Sequence, residues 1–365
     1  MRAPADWIEE RIAAGDFPSA SWLIADAGGV VASGAAGNAV VIPGKVPATS
    51  ETIYDLASLT KPLVTSLLLV LLRREGIRLD DRAARFLPEF ERLDKSDITL
   101  DHLLTHTSGL PEWAPLYLKG RSSAEYLAQI RDMEPVDPPG ASVRYSDPGY
   151  IALGGIVERI ASAPLEAVAV DLILGPVGSK ACFRPGTDLL PRVAATEEAC
   201  NYERKKAGPA GASYGGWRGG VIRGEVHDQN AWAAGGVSGH AGLFGTAMDV
   251  YLIAREALPE AGILLSEEER RLVREARTGS LPGPRSVACR INRLPGGASD
   301  PSTAAGEALP AETFGHNGFT GTSVWIDPRA GRLYVLLTNR VHPAVREEID
   351  MNALRREFHR LASAA

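Results

Sequence analysis

The chain reads as an α/β (α+β) protein: one antiparallel sheet flanked by helices and built from both termini, with an all-helical domain inserted between them. Three observations predict this. Strand-like runs lie near both ends of the sequence, at 20–26, 30–33, 313–319, 322–326 and 333–338. From 79 to about 181 the pattern is helical, with strand signals nearly absent. The most apolar stretch, 63–72, lies between these regions and is apolar on nearly every side, like a helix buried through the middle of a domain. The expected division is a sheet domain from 1–78 and 182–365 and a helical domain from 79–181.

In order, a short helix near 6–14 precedes two strands joined at Gly28-Gly29, a hairpin signal. A loop rich in Gly, Pro and Thr leads to 52–56 and then to a helix opening at Ser58. Pro62 falls in its first turn, where a helix tolerates proline. Further helical patterns cover 80–90, 100–106, 122–131, 149–162 and 165–174. The segment 185–225, including Trp217, shifts to Gly, Arg, Lys and Pro with little periodicity, and reads either as a rim over a substrate or as a solvated loop. Helices at 248–257 and 266–277, a Pro/Gly/Ser-rich stretch at 279–310, the three C-terminal strands and a closing helix at 344–361 complete the chain. No internal repeat is present.

The length, 365 residues, suffices for a full core without staples. Hydrophobic residues make up 45% and charged residues 23%, as in a soluble globular protein. The net charge of −6, with basic residues scattered, argues against nucleic acid as a partner. Cys182, Cys200 and Cys289 are odd in number and widely spaced, which indicates neither a disulfide framework nor a zinc site. No apolar run reaches the about 20 residues of a membrane span. Acidic residues stand at 6, 9 and 10, where a secretory signal would have its apolar core, so the expectation is a cytoplasmic protein with a small-molecule substrate.

The chemistry centres on Ser58 and Lys61. Residues three apart on a helix share a face, so the Lys61 amine can reach the Ser58 hydroxyl. Serine needs a neighbour to take its proton, and a lysine does so only if its pKa is lowered; apolar surroundings are expected to lower it. A Ser-x-x-Lys spacing is common enough by chance that other residues must decide it. Arg144-Tyr145-Ser146-Asp147-Pro148 opens a helix and offers a phenol whose pKa an adjacent ammonium would pull down. Gly315-His316-Asn317-Gly318-Phe319 lies on a C-terminal strand, where the glycines let a substrate lie against the backbone and the polar pair can meet it. His102 and His106 have the i, i+4 spacing of a metal pair but lack the Glu of His-Glu-x-x-His, and no metal is expected. The run 235–240 is neither a phosphate loop nor a Gly-x-Ser-x-Gly elbow, because position 240 is His. His227, Asp228 and His240 read as structural hydrogen-bonding residues.

Taken together, these stretches resemble the serine β-lactamase and penicillin-binding protein family, in the branch of class C β-lactamases, D-alanyl-D-alanine carboxypeptidases and family VIII esterases. The resemblance runs from about Ser19 to Arg340. Ser58 and Lys61 match Ser-x-x-Lys, Tyr145-Ser146-Asp147 matches Tyr-x-Asn, and His316-Asn317-Gly318 matches Lys/His-Thr-Gly. The run Leu103-Leu104-Thr105-His106-Thr107-Ser108-Gly109-Leu110 is a further signature of the family. The resemblance implies a serine hydrolase working through an acyl-enzyme without a cofactor, with Ser58 as nucleophile and Lys61 and Tyr145 handling protons. It implies Asp147, His316, Asn317, Gly318 and Phe319 as substrate-binding residues, and the Ser58 and Phe319 amides as the oxyanion hole. Asp147 departs from the usual Asn and His316 from the usual Lys, which tilts the expected activity from β-lactams towards small esters and D-amino acid amides. The alternatives are a non-hydrolytic penicillin-binding or acyl-sensor protein, or a DD-carboxypeptidase if the chain is exported.

Overall fold

In the computed structural model, which describes residues 3–92, 94–258 and 261–364, seven antiparallel strands form the main sheet. Strands β1 (Ser19–Asp26), β2 (Gly29–Val40) and β3 (Val46–Pro47) come from the N-terminal part. A small second sheet pairs β4 (Tyr54–Asp55) and β5 (Cys182–Phe183) with β6 (Leu243–Gly245). The main sheet is completed by β7 (Arg290–Ile291), β8 (Phe314–Asn317), β9 (Ser323–Asp327) and β10 (Arg332–Thr338), in the order β3-β2-β1-β10-β9-β8-β7. The two ends of the chain meet where β1 pairs with β10, Trp22 opposite Leu336.

Side chains alternate across the strands and so divide the core. Trp22, Ile24, Tyr334, Leu336 and Trp325 face one side, where Trp7 and Ile8 of helix Pro4–Ala13 and Phe358 and Leu361 of helix Met351–Ser363 cover them. Leu23, Leu333, Val335 and Leu337 face the other side and join the larger core with 63–72 and helix Asp147–Ala161. The terminal helices therefore shield one face while the segment that carries Ser58 packs on the other. Among the described residues no single helix is long and apolar enough to cross a membrane.

Several expectations shift in detail. The helix expected from Ser58 is three pieces: a 3-10 turn Ala57–Leu59, a π-helical stretch Lys61–Ser66 and an α-helix Leu67–Leu72. Pro62 has no N–H to give the Ser58 carbonyl, so an ordinary α ladder cannot form there. The stretch 80–90 is two 3-10 turns, Ala83–Arg85 and Pro88–Phe90, because Pro88 interrupts it. The segment 185–225 contains helix Asn201–Ala207, ended by Gly208 at a positive φ of 54°. That helix forms part of a rim, whereas Trp217 packs at right angles to Tyr214, 4.9 Å between ring centroids, and against Tyr117.

One contact sets the spacing between the helical body and the site. A Cβ on Gly239 would lie 2.1 Å from the Tyr150 carbonyl and 2.9 Å from the Gly154 nitrogen of helix Asp147–Ala161. The Gly239 carbonyl accepts from Thr65 Oγ1 at 2.7 Å, tying the same loop to the segment after Ser58. Gly239→Ala should therefore destabilise the fold by about 1–3 kcal/mol, as overpacking does. An unchanged urea midpoint would show that the loop gives way freely.

Candidate active site

Ser58 follows a strained residue. Ala57 has φ of 48°, a left-handed conformation that costs a non-glycine residue energy and persists only where neighbours enforce it. Asp55 enforces it: one carboxylate oxygen accepts the Ala57 N–H at 2.8 Å and the other the His227 N–H at 2.6 Å. From the sheet side, Thr320 Oγ1 donates to the Asp55 carbonyl at 2.7 Å and Thr322 Oγ1 to the Leu56 carbonyl at 3.1 Å. The turn that presents Ser58 is thus bolted to the turn after β8.

Lys61 is fully buried; its ammonium donates to Ser58 Oγ and the His240 carbonyl, both at 3.0 Å, and forms an ion pair with Asp147 Oδ1 at 2.8 Å. Tyr145 Oη donates to Ser58 Oγ at 2.9 Å. Burial pushes the Lys61 pKa down, but the charge of Asp147 and the polar contacts of Asp147 and Tyr145 outweigh it, and the net shift is upward. The lowered lysine pKa expected from apolar neighbours is corrected accordingly: a carboxylate reaches the amine that the sequence shows only among leucines. Tyr145 also moves opposite to expectation. Burial raises its pKa, Lys61 pulls against that, and the phenol stays protonated.

Tyr145 is held by what precedes its helix. Ser146 N–H donates to His106 Nδ1 at 2.9 Å, which fixes the neutral Nε2–H tautomer, and the His106 ring lies against Tyr145 with centroids 4.5 Å apart. Ser146 Oγ caps helix Asp147–Ala161 by accepting the Gly149 N–H at 3.1 Å. His102 caps its own helix through Thr99 and serves structure, as His227 does by pairing with Glu197 at 3.1 Å and His240 with Asp228 at 2.9 Å.

On β8, His316 Nδ1 donates to the Asn317 carbonyl at 2.8 Å, leaving Nε2 as an acceptor. Burial, with Lys61 and Arg285 nearby, holds its pKa well below the ordinary value, so the ring is neutral. Asn317 spends its amide on structure, accepting from Trp325 Nε1 at 3.0 Å and donating to Asn352 at 3.3 Å. Gly318 is required by space: a Cβ would sit 2.1 Å from Thr322 Oγ1 and 2.7 Å from the Leu56 carbonyl. Arg355 clamps this turn by donating to the Gly318 and Thr322 carbonyls, both at 3.0 Å, and Arg340 Nε donates to the Phe319 carbonyl at 2.9 Å. The Phe319 N–H takes no part in the turn's backbone bonds, which run from Gly318 N–H to Thr322 and from Gly321 N–H to Gly318.

Ser58, Tyr145, Asp147, Asn317, Gly318 and Phe319 share the wall of a cavity of about 400 Å³. Lys61 lies behind that wall, and His316 faces a second cavity of about 200 Å³ on the far side of Tyr145. Sequence reasoning missed Glu203 and Lys206, which line the larger cavity from helix Asn201–Ala207. The Gly208 stop was the one local signal for that helix. Glu203 is buried, and burial, with Asp228 and Asp147 adding to it and Lys206 and Arg218 opposing, pushes its carboxyl pKa up to about 8 from an ordinary 4.5. A folded-state pKa raised in this way gives stability that is present below pH 4.5 and lost as pH rises through about 8. Glu203→Gln should therefore unfold at a progressively higher temperature than the unsubstituted protein as pH climbs through that window. Parallel curves of unfolding temperature against pH would contradict this assignment.

Comparison with known proteins agrees with this geometry. The family model described as Beta-lactamase matches residues 5–357. A protein of Salmonella agona (strain SL483), named "Putative D-alanyl-D-alanine carboxypeptidase", is 31% identical over 376 residues, covering 93% of this chain and 82% of that one. The solved structure of "EstCE1, a hydrolase with promiscuous acyltransferase activity" has a TM-score of 0.75 at 23% identity, covering 98% of this chain and 97% of that one. A penicillin-binding protein homolog from Caulobacter crescentus has a TM-score of 0.72 at 21% identity, covering 99% and 96%. At these identities the two structures speak for the fold alone. With the antiparallel sheet, the Ser58, Lys61 and Tyr145 cluster and a family match over nearly its whole length, the chain belongs to the β-lactamase family.

Proposed function

We propose that the chain is a serine hydrolase that forms an acyl-enzyme on Ser58 and acts on small esters and D-amino acid amides in preference to β-lactams. The observation that carries the reading is the Ser58 hydroxyl, 3.0 Å from the Lys61 amine and 2.9 Å from the Tyr145 phenol at the wall of an open cavity. Ser58 Oγ attacks a carbonyl carbon, and its proton passes to Lys61. Because the resting Lys61 already holds three protons, it must first release one, and Asp147 Oδ1 at 2.8 Å is the acceptor at hand. Tyr145, kept protonated, delivers a proton to the leaving group and regains one from Lys61. Water then releases the acid, and the amides of Ser58 and Phe319 are the donors assigned to the developing oxyanion.

The preference against β-lactams rests on charge. A neutral His316 whose free nitrogen is an acceptor gives a carboxylate nothing to bind, and the Lys61 charge is already matched by Asp147. Comparing kcat/KM for p-nitrophenyl acetate and nitrocefin tests this, with at least a tenfold preference for the ester expected. Faster turnover of nitrocefin would remove the preference and leave the serine chemistry. Ser58→Ala should abolish both turnover and fluorophosphonate labelling with little change in unfolding temperature, since it deletes one oxygen and no packing. Labelling retained in the folded variant would refute the nucleophile. Asp147→Asn should move the acidic limb of the pH–rate profile to lower pH, because the largest effect opposing burial at Lys61 is then removed. A limb that stays in place would show that Lys61 does not govern it.

A further inference from the structure

The hydrolytic reading uses the part of the cavity around Ser58 and leaves Glu203 without a role. Glu203 is 5% exposed and lines the same cavity. Its one hydrogen bond is long, from the Tyr117 phenol to Oε2 at 3.5 Å. Lys206, one turn along the same helix, places its ammonium 3.9 Å from the centroid of the Trp113 ring and makes no ion pair with Glu203 among the described residues. Three more carboxylates line the cavity: Asp228, hydrogen-bonded to His240 Nε2 at 2.9 Å, Asp147, paired with Lys61 at 2.8 Å, and the exposed Glu112.

Both signs of charge reach Glu203: Asp228 and Asp147 raise its pKa and Lys206 and Arg218 lower it, while Arg340 and Arg355 on the same cavity wall are tied to the carbonyls of the turn after β8. Lys206 and Arg218 pull the Glu203 pKa down, but neither forms an ion pair with it among the described residues, and burial with the charge of Asp228 outweighs them, so the carboxyl stays protonated at neutral pH. A cation arriving with the ligand would offset the cost of burying the anion and restore the carboxylate.

Resting on the acyl-enzyme reading above, we propose that Glu203 recognises a primary ammonium on the acyl part of the substrate, so that the preferred substrates are amino-acid esters and amides with a free amine. The ammonium donates to the Glu203 carboxylate, with Asp228 and Asp147 adding favourable potential, while the carbonyl carbon lies at Ser58. An N-acetylated analogue keeps the carbonyl and loses the charge, leaving the buried acid unmatched. Discrimination therefore comes from the amine and is independent of the chemistry at Ser58.

The test compares kcat/KM for the methyl esters of D- and L-alanine with those of their N-acetyl forms at neutral pH. For at least one enantiomer the free amine should be preferred at least tenfold, and Glu203→Gln should reduce that ratio at least tenfold. Equal or better turnover of the acetylated esters by the unsubstituted protein overturns the proposal, as does a variant that loses both substrates by the same factor. A second arm uses the Ser58→Ala protein and ligand-observed NMR with D- and L-alaninamide. Alaninamide should bind more tightly than N-acetylalaninamide, and the preference should vanish when Glu203→Gln is added; no preference for the amine overturns the proposal. If no ester is turned over and no fluorophosphonate label appears while the amine preference in binding persists, the hydrolytic reading fails and the ammonium subsite stands.

Discussion

The buried ammonium of Lys61 is the constraint on which the site depends. A charge fully removed from water must have every N–H satisfied, and breaking a buried pair generally costs about 3–5 kcal/mol. Its two acceptors and its counter-ion come from three parts of the chain: Ser58 from the turn after β4, the His240 carbonyl from the loop before β6, and Asp147 from the start of a helix in the middle of the chain. Satisfying one lysine therefore fixes the relative positions of nucleophile, loop and helix. The close approach of Gly239 to helix Asp147–Ala161 and the Thr65 bond to its carbonyl serve the same end, since a shift of that loop would withdraw the carbonyl from Lys61.

A second set of bonds holds the sheet side. The left-handed Ala57 is kept in place by Asp55, and Asp55 and Leu56 are bound through Thr320 and Thr322 to the turn that carries Phe319. Arg355 ties the same turn to the C-terminal helix, on the far face of the sheet. Strain at a nucleophile is tolerated where the surroundings over-determine it, and here two backbone carbonyls, two threonines and a carboxylate do so. Preorganisation of this kind lets fixed donors act at the moment charge develops, without reorganising.

Much of this was legible in the sequence because it is local. Apolar runs at 20–26 and 333–338 marked strands at both ends, and the three-residue spacing of Ser58 and Lys61 places them within reach of each other. What failed to show was tertiary. Lys61 sits among leucines in sequence, and nothing local reveals that Asp147, 86 positions later, comes within 2.8 Å and reverses the direction of its pKa. Glu203 lies in a segment without hydrophobic periodicity, and the phenol that donates to it, Tyr117, and the charge that acts on it, Asp228, are distant in sequence. The small strand β7 is two residues long in a Pro- and Gly-rich stretch, too short to carry a period.

The exchange of an amide for a carboxylate at position 147 reaches beyond one hydrogen bond. With Asn there, a protonated Lys61 would leave an uncompensated positive charge beside Ser58, attractive to a substrate carboxylate and raising the cost of keeping the lysine charged in a buried place. With Asp there, the pair is neutral in sum, His316 is neutral, and Tyr145 keeps its proton. The reacting centre then offers no net charge to an anionic ligand, while the wider cavity wall carries groups of both signs, the buried Glu203 among them. Selectivity in such a cleft is set by what remains unmatched after the internal pairs have closed. A carboxylate at the first helical position after the Ser146 cap thus sets the proton inventory around the nucleophile.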